Sequence, residues 1–323
     1  MTDKKISAEN NANSTFNGTE YVLGIQSNTN VKFAANQLSF APQINVFTAN
    51  GTWTKPVGCK RIRIFGVGGG GGGGSGRKGA TSSDKRGGGG GPSATYTEQE
   101  YLAADVGNTL TITIGSGGNG AVTASANSTD GSNGFGGSAT TVTDSGNSIF
   151  NASGAFFFGI GGSATTNGTG GAGWLGSYGL GNIGGSSSHT ANASQGQYWP
   201  SARSPGGGGG GGGMTSANVV LFGGSGAEGG YQDGSSRRAN SALGGLTTGA
   251  NGVAGNPKNW SRGYGSGGGG GAAGDAAGTI NGGNGGAGGI PGGGGGGGGA
   301  SVNGANSGPG GNGGRGELVI VSY

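Results

Sequence analysis

The sequence predicts a mainly β and irregular fold with little α-helix: a small β-sandwich base framing a bundle of polyglycine-II helices with distal loops. Three observations predict it. Uninterrupted glycine runs occupy 68–74, 87–91, 206–213, 267–271 and 292–299, in a chain where 92 of 323 residues are glycine. Alternating strand patterns stand on both sides of these runs, within 46–115 and at 316–323. Between the glycine stretches lie non-glycine segments, chiefly 75–86, 186–205, 231–242 and 256–264, long enough to turn the chain.

A free glycine run is a random coil, because glycine loses more backbone freedom on ordering than any other residue. Ordering costs about 1–2 kcal/mol per residue, and glycine has no side chain to offset it. The polyproline-II conformation offers a way out: three residues per turn, with N–H and C=O groups pointing sideways. Without Cβ atoms, parallel rods can approach closely and bond to one another. Each hydrogen bond nets only about 0.5–1.5 kcal/mol, so one rod cannot stand alone and a bundle can. The framing strands must bring the chain ends together, and a long coil inside a compact domain is improbable. An ordered lattice follows.

Taken in order, residues 1–45 form a unit of ordinary composition, too small for a secure core of its own. Residues 20–26 and 31–33 predict a hairpin about the polar turn 27–30, and 33–38 predicts a single helical turn. The remainder, 46–323, reads as a glycine-rich domain whose insertion covers about 116–315. Val46 to Thr54 predicts a strand with a turn at Asn50 and Gly51; Arg61 to Phe65 alternates charged and apolar residues and runs into the first glycine run. Residues 94–102 and 106–114 predict two further strands, and 316–323 a terminal one. Phe156, Phe157, Phe158, Ile160, Trp174, Leu175, Val219, Val220, Leu221 and Phe222 are placed to cover lattice edges.

Lys5, Ile6 and Ser7, then Asn17 to Glu20 and the stretch closing at Leu38, resemble a leader found on many bacteriophage appendage proteins. Phe47, Gly51 to Thr54, Pro56, Gly58, Ile62 to Phe65, Tyr96, Leu110 to Ile114 and Gly314 to Glu317 together resemble the glycine-rich domain of phage tail-fibre proteins. The middle of the chain is similar in texture to the tip adhesins of T-even-like phages, which pack polyglycine-II helices and display variable loops. The resemblance implies a virion protein made in the host cytoplasm, attached to other virion proteins through residues 1–45 and assembled as a homotrimer. It also implies a tail-fibre or fibre-tip adhesin that binds lipopolysaccharide or an outer-membrane protein on the host. The alternative is a structural head or tail fibre or decoration protein without specific recognition.

Composition narrows the rest. With 30% apolar and 9% charged residues and a net charge of +4, the chain lacks the material for a conventional core of this size. Residues 1–10 carry no apolar stretch of the kind a signal peptide needs, and no run reaches the roughly 20 apolar residues of a membrane helix. Lone Cys59 rules out an internal disulfide framework and is expected to be packed. His189 is the only histidine, which excludes histidine clusters for metals and histidine-dependent triads. Asp130, Asp144, Asp233 and Asp275 are scattered singly, and 13 acidic residues show no obvious pair for a depolymerase. Four of the five glycine runs match the dinucleotide fingerprint, so the match is uninformative. Arg86 to Gly88 matches an RGG triplet without tandem repeats, and nucleic-acid binding is not expected. No catalytic residue, metal or cofactor is predicted, and the chain is read as a non-enzyme.

The candidate receptor-binding residues are aromatic and basic side chains in the non-glycine segments: Tyr198, Trp199 and Arg203; Tyr231, Arg237 and Arg238; Trp260, Arg262 and Tyr264. Flat rings stack on sugars or fill protein pockets, and arginine adds directional contacts. The same rings could instead cap the edges of the lattice. A second, basic segment, Arg77 and Lys78 with Lys85 and Arg86, could meet lipopolysaccharide phosphates or form a solvated turn.

Overall fold

The computed structural model describes residues 21–26, 29–34, 42–172, 175–176, 179–197, 204–230, 240–258 and 263–323. Among the described residues, fourteen strands follow one another in chain order. β1 (Tyr21–Gln26) and β2 (Thr29–Ala34) form a hairpin. They are followed by β3 (Gln43–Phe47), β4 (Gly51–Thr54), β5 (Arg61–Val67), β6 (Lys78–Gly79), β7 (Tyr96–Leu102) and β8 (Thr109–Thr113). Next come β9 (Thr140–Asp144), β10 (Asn147–Ala152), β11 (Leu175–Gly176), β12 (Gly179–Leu180), β13 (Ser301–Val302) and β14 (Glu317–Ser322). Among the described residues the one named helical element is a single 3-10 turn at Ala103–Asp105. The fold is mainly β and irregular. The helical turn expected at 33–38 lies largely outside the described residues, and its described part, Phe33 and Ala34, ends β2.

Two antiparallel sheets make the base. One has the order β3-β14-β5-β7, the other β10-β9-β8-β4. Alternation along the strands sends Ile62, Ile64, Leu318 and Ile320 from the first sheet against Trp53, Leu110, Ile112, Val142 and Phe150 from the second, all buried. On the outer face of β5, Arg61 pairs with Glu100 at 2.9 Å and Arg63 with Glu98. β9 and β10 depart from the sequence reading: they lie inside the insertion expected to hold glycine helices and their connecting loops. Their turn places Ser145 at φ 49° and Gly146 at φ 86°, the left-handed pair that a tight hairpin demands.

Strands β5, β8 and β10 of the base each hand the chain to a rod with three residues per turn. The rod 68–77 shows why the conformation is stable. Its N–H groups take turns among neighbours: Gly69, Gly72 and Ser75 bond to Ser138, Phe135 and Ser132. Gly70, Gly73 and Gly76 bond to Gly314, Gly311 and Gly308 at 2.9, 2.9 and 3.1 Å. Gly71, Gly74 and Arg77 bond to Pro92, Gly89 and Arg86. Its carbonyls accept from three more rods, for instance Ala155 N to Gly69 O, Gly118 N to Gly70 O and Gly295 N to Gly71 O. A threefold helix so bonded has six neighbours, the hexagonal arrangement its symmetry favours.

The rods alternate in direction along the chain and stack in layers. One layer holds 115–122, 306–316, 281–290 and 250–257; the next holds 131–139, 68–77, 292–300, 264–274 and 242–246. Below these run 153–163, 86–95, 205–214 and 220–227, then 168–171, 182–188 and 193–197. The interior rods are those that carry the long glycine runs. At Gly209 an added Cβ would overlap the carbonyl of Gly224, and at Gly295 that of Gly311, so no other residue fits. Rods on the surface leave one row free, and there every third residue is not glycine. Ser116, Asn119, Val122 and Ser125 are exposed while Gly115, Gly118, Ala121 and Ala124 are buried. Asparagines in such rows supply the acceptor that a missing rod would have given: Gly120 N donates to Asn312 Oδ1, Asn284 N to Asn251 Oδ1 and Asn306 N to Asn281 Oδ1, each at 2.8 Å.

The insertion is thus not confined to 116–315: rods 68–77 and 86–95 precede it, and 140–152 returns to the base. Segments 75–86 and 186–205 are not wholly loop either, since 75–77, 86, 186–188 and 193–197 carry rod hydrogen bonds. Serine and alanine suffice wherever a row faces outward or a smaller neighbour. Phe156, Phe157 and Ile160 stand exposed on an outer rod and Val219 in a turn, whereas Leu221 is buried.

Candidate functional site

The lattice has two poles. Rods leave the sandwich at Val67, Thr113 and Ala152 and return to it at Tyr96, Thr140 and Glu317. The opposite, distal pole is made of turns at 78–85, 123–130, 163–167, 188–192, 214–219, 247–249, 275–280 and 301–305. At about 3.1 Å per residue, the rods separate the poles by roughly 30 Å.

One turn, 78–85, is the hub of the distal pole. The four cations flanking it are buried: Arg77 and Arg86 pair across the rods through Arg77 N to Arg86 O, with Lys78 and Lys85 just beyond. Rod ends leave carbonyls without partners, and these cations supply the donors. Lys85 is fully buried, its Nζ caged by the carbonyl oxygens of Ala80 at 3.0 Å, Thr81 at 3.4 Å and Ser83 at 2.5 Å and by Asn218 Oδ1 at 2.8 Å. Burial lowers its pKa; Asp84 opposes that shift and Arg77 adds to it. Lys78 donates to the Ser125 carbonyl at 2.8 Å, and Arg77 pairs with Asp130. Arg86 donates to the carbonyl of Ala164 and, at 3.2 Å, to His189 Nδ1. Desolvation, then the neighbouring Arg86, lowers the pKa of Arg77. The basic segment is therefore neither a phosphate-binding surface nor a solvated turn. It ties the hub to the turns 123–130, 163–167, 188–192 and 214–219.

Further cross-links complete the surface. Ser128 N donates to Asn303 Oδ1 at 2.9 Å, and Asn303 Nδ2 returns a bond to Ser128 Oγ at 3.2 Å. The Asp275 carboxylate accepts from Thr279 N at 2.8 Å and Ile280 N at 2.7 Å and from the Thr279 hydroxyl, which holds its pKa below the usual range. Most of what these turns expose is short and polar, including Thr81, Ser82, Asn127, Thr129, Thr165, Thr190, Asn192, Ser216 and Thr248; Val219 and Ile280 are the large apolar side chains exposed among them. No Phe, Trp or Tyr occurs in them.

Tyr198, Trp199, Arg203, Tyr231, Arg237, Arg238, Trp260 and Arg262 lie outside the described residues. The described residues that flank them lie at the sandwich pole. Ser204 bridges to Gly230, and Lys258 pairs with Glu317 at the start of β14. Tyr264 is a correction to the sequence reading: it is buried against Val67, Ala94 and Tyr96, its ring edge-on to Tyr96 at 5.5 Å. Glycine on both sides leaves room for this ring to enter the junction between lattice and base. The cavity beside it, about 20 Å³, has room for little more than one water.

Among the described residues no three of His, Cys, Asp and Glu gather as a metal site requires, and no helix is long and apolar enough to cross a membrane. No known protein family matches this chain, and no curated protein matches it significantly.

Proposed function

We propose that the chain is a bacteriophage virion appendage protein, a tail fibre or fibre tip, acting as a non-enzymatic receptor-binding adhesin. Residues 1–45 attach it to other virion proteins, in a homotrimer, and the displayed turns bind lipopolysaccharide or an outer-membrane protein of the host. The observation that supports this reading is polarity. β3 begins beside the last strand residue, Ser322, so the chain enters at the end of the base away from the rods. The cross-linked turns stand at the opposite pole, and loops held by a rigid scaffold are where recognition residues concentrate. Their hydroxyl and carboxamide groups suit the polar surface of a glycan or an extracellular loop. The aromatic stretches 198–203, 231–239 and 259–262 are the second candidate contact.

Purified protein added to host cells should compete with adsorption of the parent phage. Replacing 126–129 and 190–192 should abolish competition if the distal turns bind, and replacing 198–203 and 231–239 should do so if the aromatic stretches bind. Undetectable cell binding at micromolar protein would refute the adhesin reading and leave the structural one.

A further inference from the structure

Among the described residues, β3 is an edge strand with none of the usual protection. Edges are ordinarily blunted by charge, proline, a bulge or a cover, because their free N–H and C=O groups recruit other strands. The far edge of the same sheet, β7, carries Glu98 and Glu100, each in an ion pair. In the second sheet, edge β10 contains a register shift between Ser148 and Phe150, and edge β4 is only Gly51–Thr54. β3 reads Gln-Ile-Asn-Val-Phe, uncharged, with Ile44 63% and Val46 48% exposed. Among the described residues, nothing bonds to the side of β3 that faces away from β14.

We propose that this edge seats the β1–β2 hairpin of the same chain, with β2 adding antiparallel to β3 and extending the sheet to the order β1-β2-β3-β14-β5-β7. Residues 35–42 link Ala34 to Gln43. Eight residues reach at most roughly 28 Å, enough for the chain to turn back alongside itself, and consecutive strands are neighbours about two-thirds of the time. An antiparallel β2 ends where β3 begins, so the link stays at one end of the sandwich. Val31 and Phe33 alternate along β2 with the same period as Ile44 and Val46 on β3. Phe33 is in register with Val22 of β1. The hairpin needs the edge as much as the edge needs cover, since two strands alone are marginal in water. A second copy is the competing occupant. A short tether gives the chain's own hairpin an effective concentration of about millimolar, which a separate subunit in dilute solution does not match. The consequence goes beyond receptor binding: the attachment unit and the base share one sheet, so the lattice is aimed rigidly from its mount.

Amide hydrogen exchange on the full chain tests this. Consecutive amides Ile44 to Phe47 should all be protected, including those that do not face β14, and protection should survive about hundredfold dilution. The double substitution Val31→Asp with Phe33→Asp should speed exchange of the outward amides at least about tenfold while Gly71 and Gly209 in the rods are unaffected. Free exchange of the outward amides in the parent, or no change in the variant, overturns the proposal. Protection lost on dilution overturns it in favour of a second copy.

Discussion

The sandwich and the lattice meet within one chain, yet they are held together by opposite means. In the sandwich, side chains do the work: Trp53, Leu110, Phe150 and Ile320 exclude water, and backbone hydrogen bonds set the register. In the lattice the interior has almost no side chains. Rod 68–77 is bonded on every side through its peptide groups, and what would be a core residue is the absence of a Cβ. A hydrophobic core takes the loss of one side chain as a local cost that scales with the area and cavity volume removed. A backbone lattice does not, since one displaced rod strains bonds to all its neighbours together.

The sharpest way to break the comparison is to put a side chain in the lattice and take one from the core. Gly209→Val or Gly295→Val must push aside the carbonyl of Gly224 or Gly311. Parting the rods costs several hydrogen bonds of about 1 kcal/mol each, so either variant is expected to lose cooperative melting. Leu110→Ala, at a fully buried sandwich position, is expected to cost about 2–5 kcal/mol and still melt cooperatively. A Gly209→Val protein that melts like its parent would sink the claim that backbone contact is the lattice's cohesive force.

A smaller effect probes the ends of the rods. Lys85→Met removes the donor shared by Ala80 O, Thr81 O, Ser83 O and Asn218 Oδ1. Buried acceptors left bare cost about 1–3 kcal/mol, and the loosening should show as faster exchange confined to 78–85 and 214–219. The pH dependence has a definite sign. Burial sets the folded pKa of Lys85 below its ordinary 10.5, so between the two values the unfolded chain binds more protons and stability rises with pH. Urea midpoints taken from neutral pH to above 10.5 should show that rise in the parent and lack it in Lys85→Met.

The fold was legible in the sequence where composition forces geometry. Glycine runs framed by alternating strands leave little besides a lattice on a β base, and the run positions coincide with the fully surrounded rods. The surface rods were also legible, through the three-residue period of Asn281, Asn284 and Ala287 or Asn306, Pro309 and Asn312, but a search for strand and α-helix periods passes over a period of three. The hub was hidden for another reason. Arginine and lysine flanking a polar turn look solvated, and only the pairing of Arg77 with Arg86 across adjacent rods shows that they meet bare carbonyls. Tyr264 misled because aromatic residues between glycines resemble a displayed loop, when the glycines are what admit its ring to the interior.

The finest distinction separates two asparagines of one face, on adjoining rods. Asn312 Oδ1 accepts the N–H of Gly120 at 2.8 Å, replacing the carbonyl of a rod that is not there. Asn119 takes part in the lattice through its backbone carbonyl, which accepts from Phe135 N, and its exposed side chain makes no hydrogen bond among the described residues. Asn312→Ala should therefore cost about 0.5–1 kcal/mol, softened because water can reach Gly120, and Asn119→Ala should stay within about 0.5 kcal/mol of the parent. Exchange at the Gly120 amide separates them more cleanly than melting does: it should quicken in the first variant alone. If both variants leave that amide unchanged, outward asparagines merely keep the face wet, and the lattice ends at its last rod.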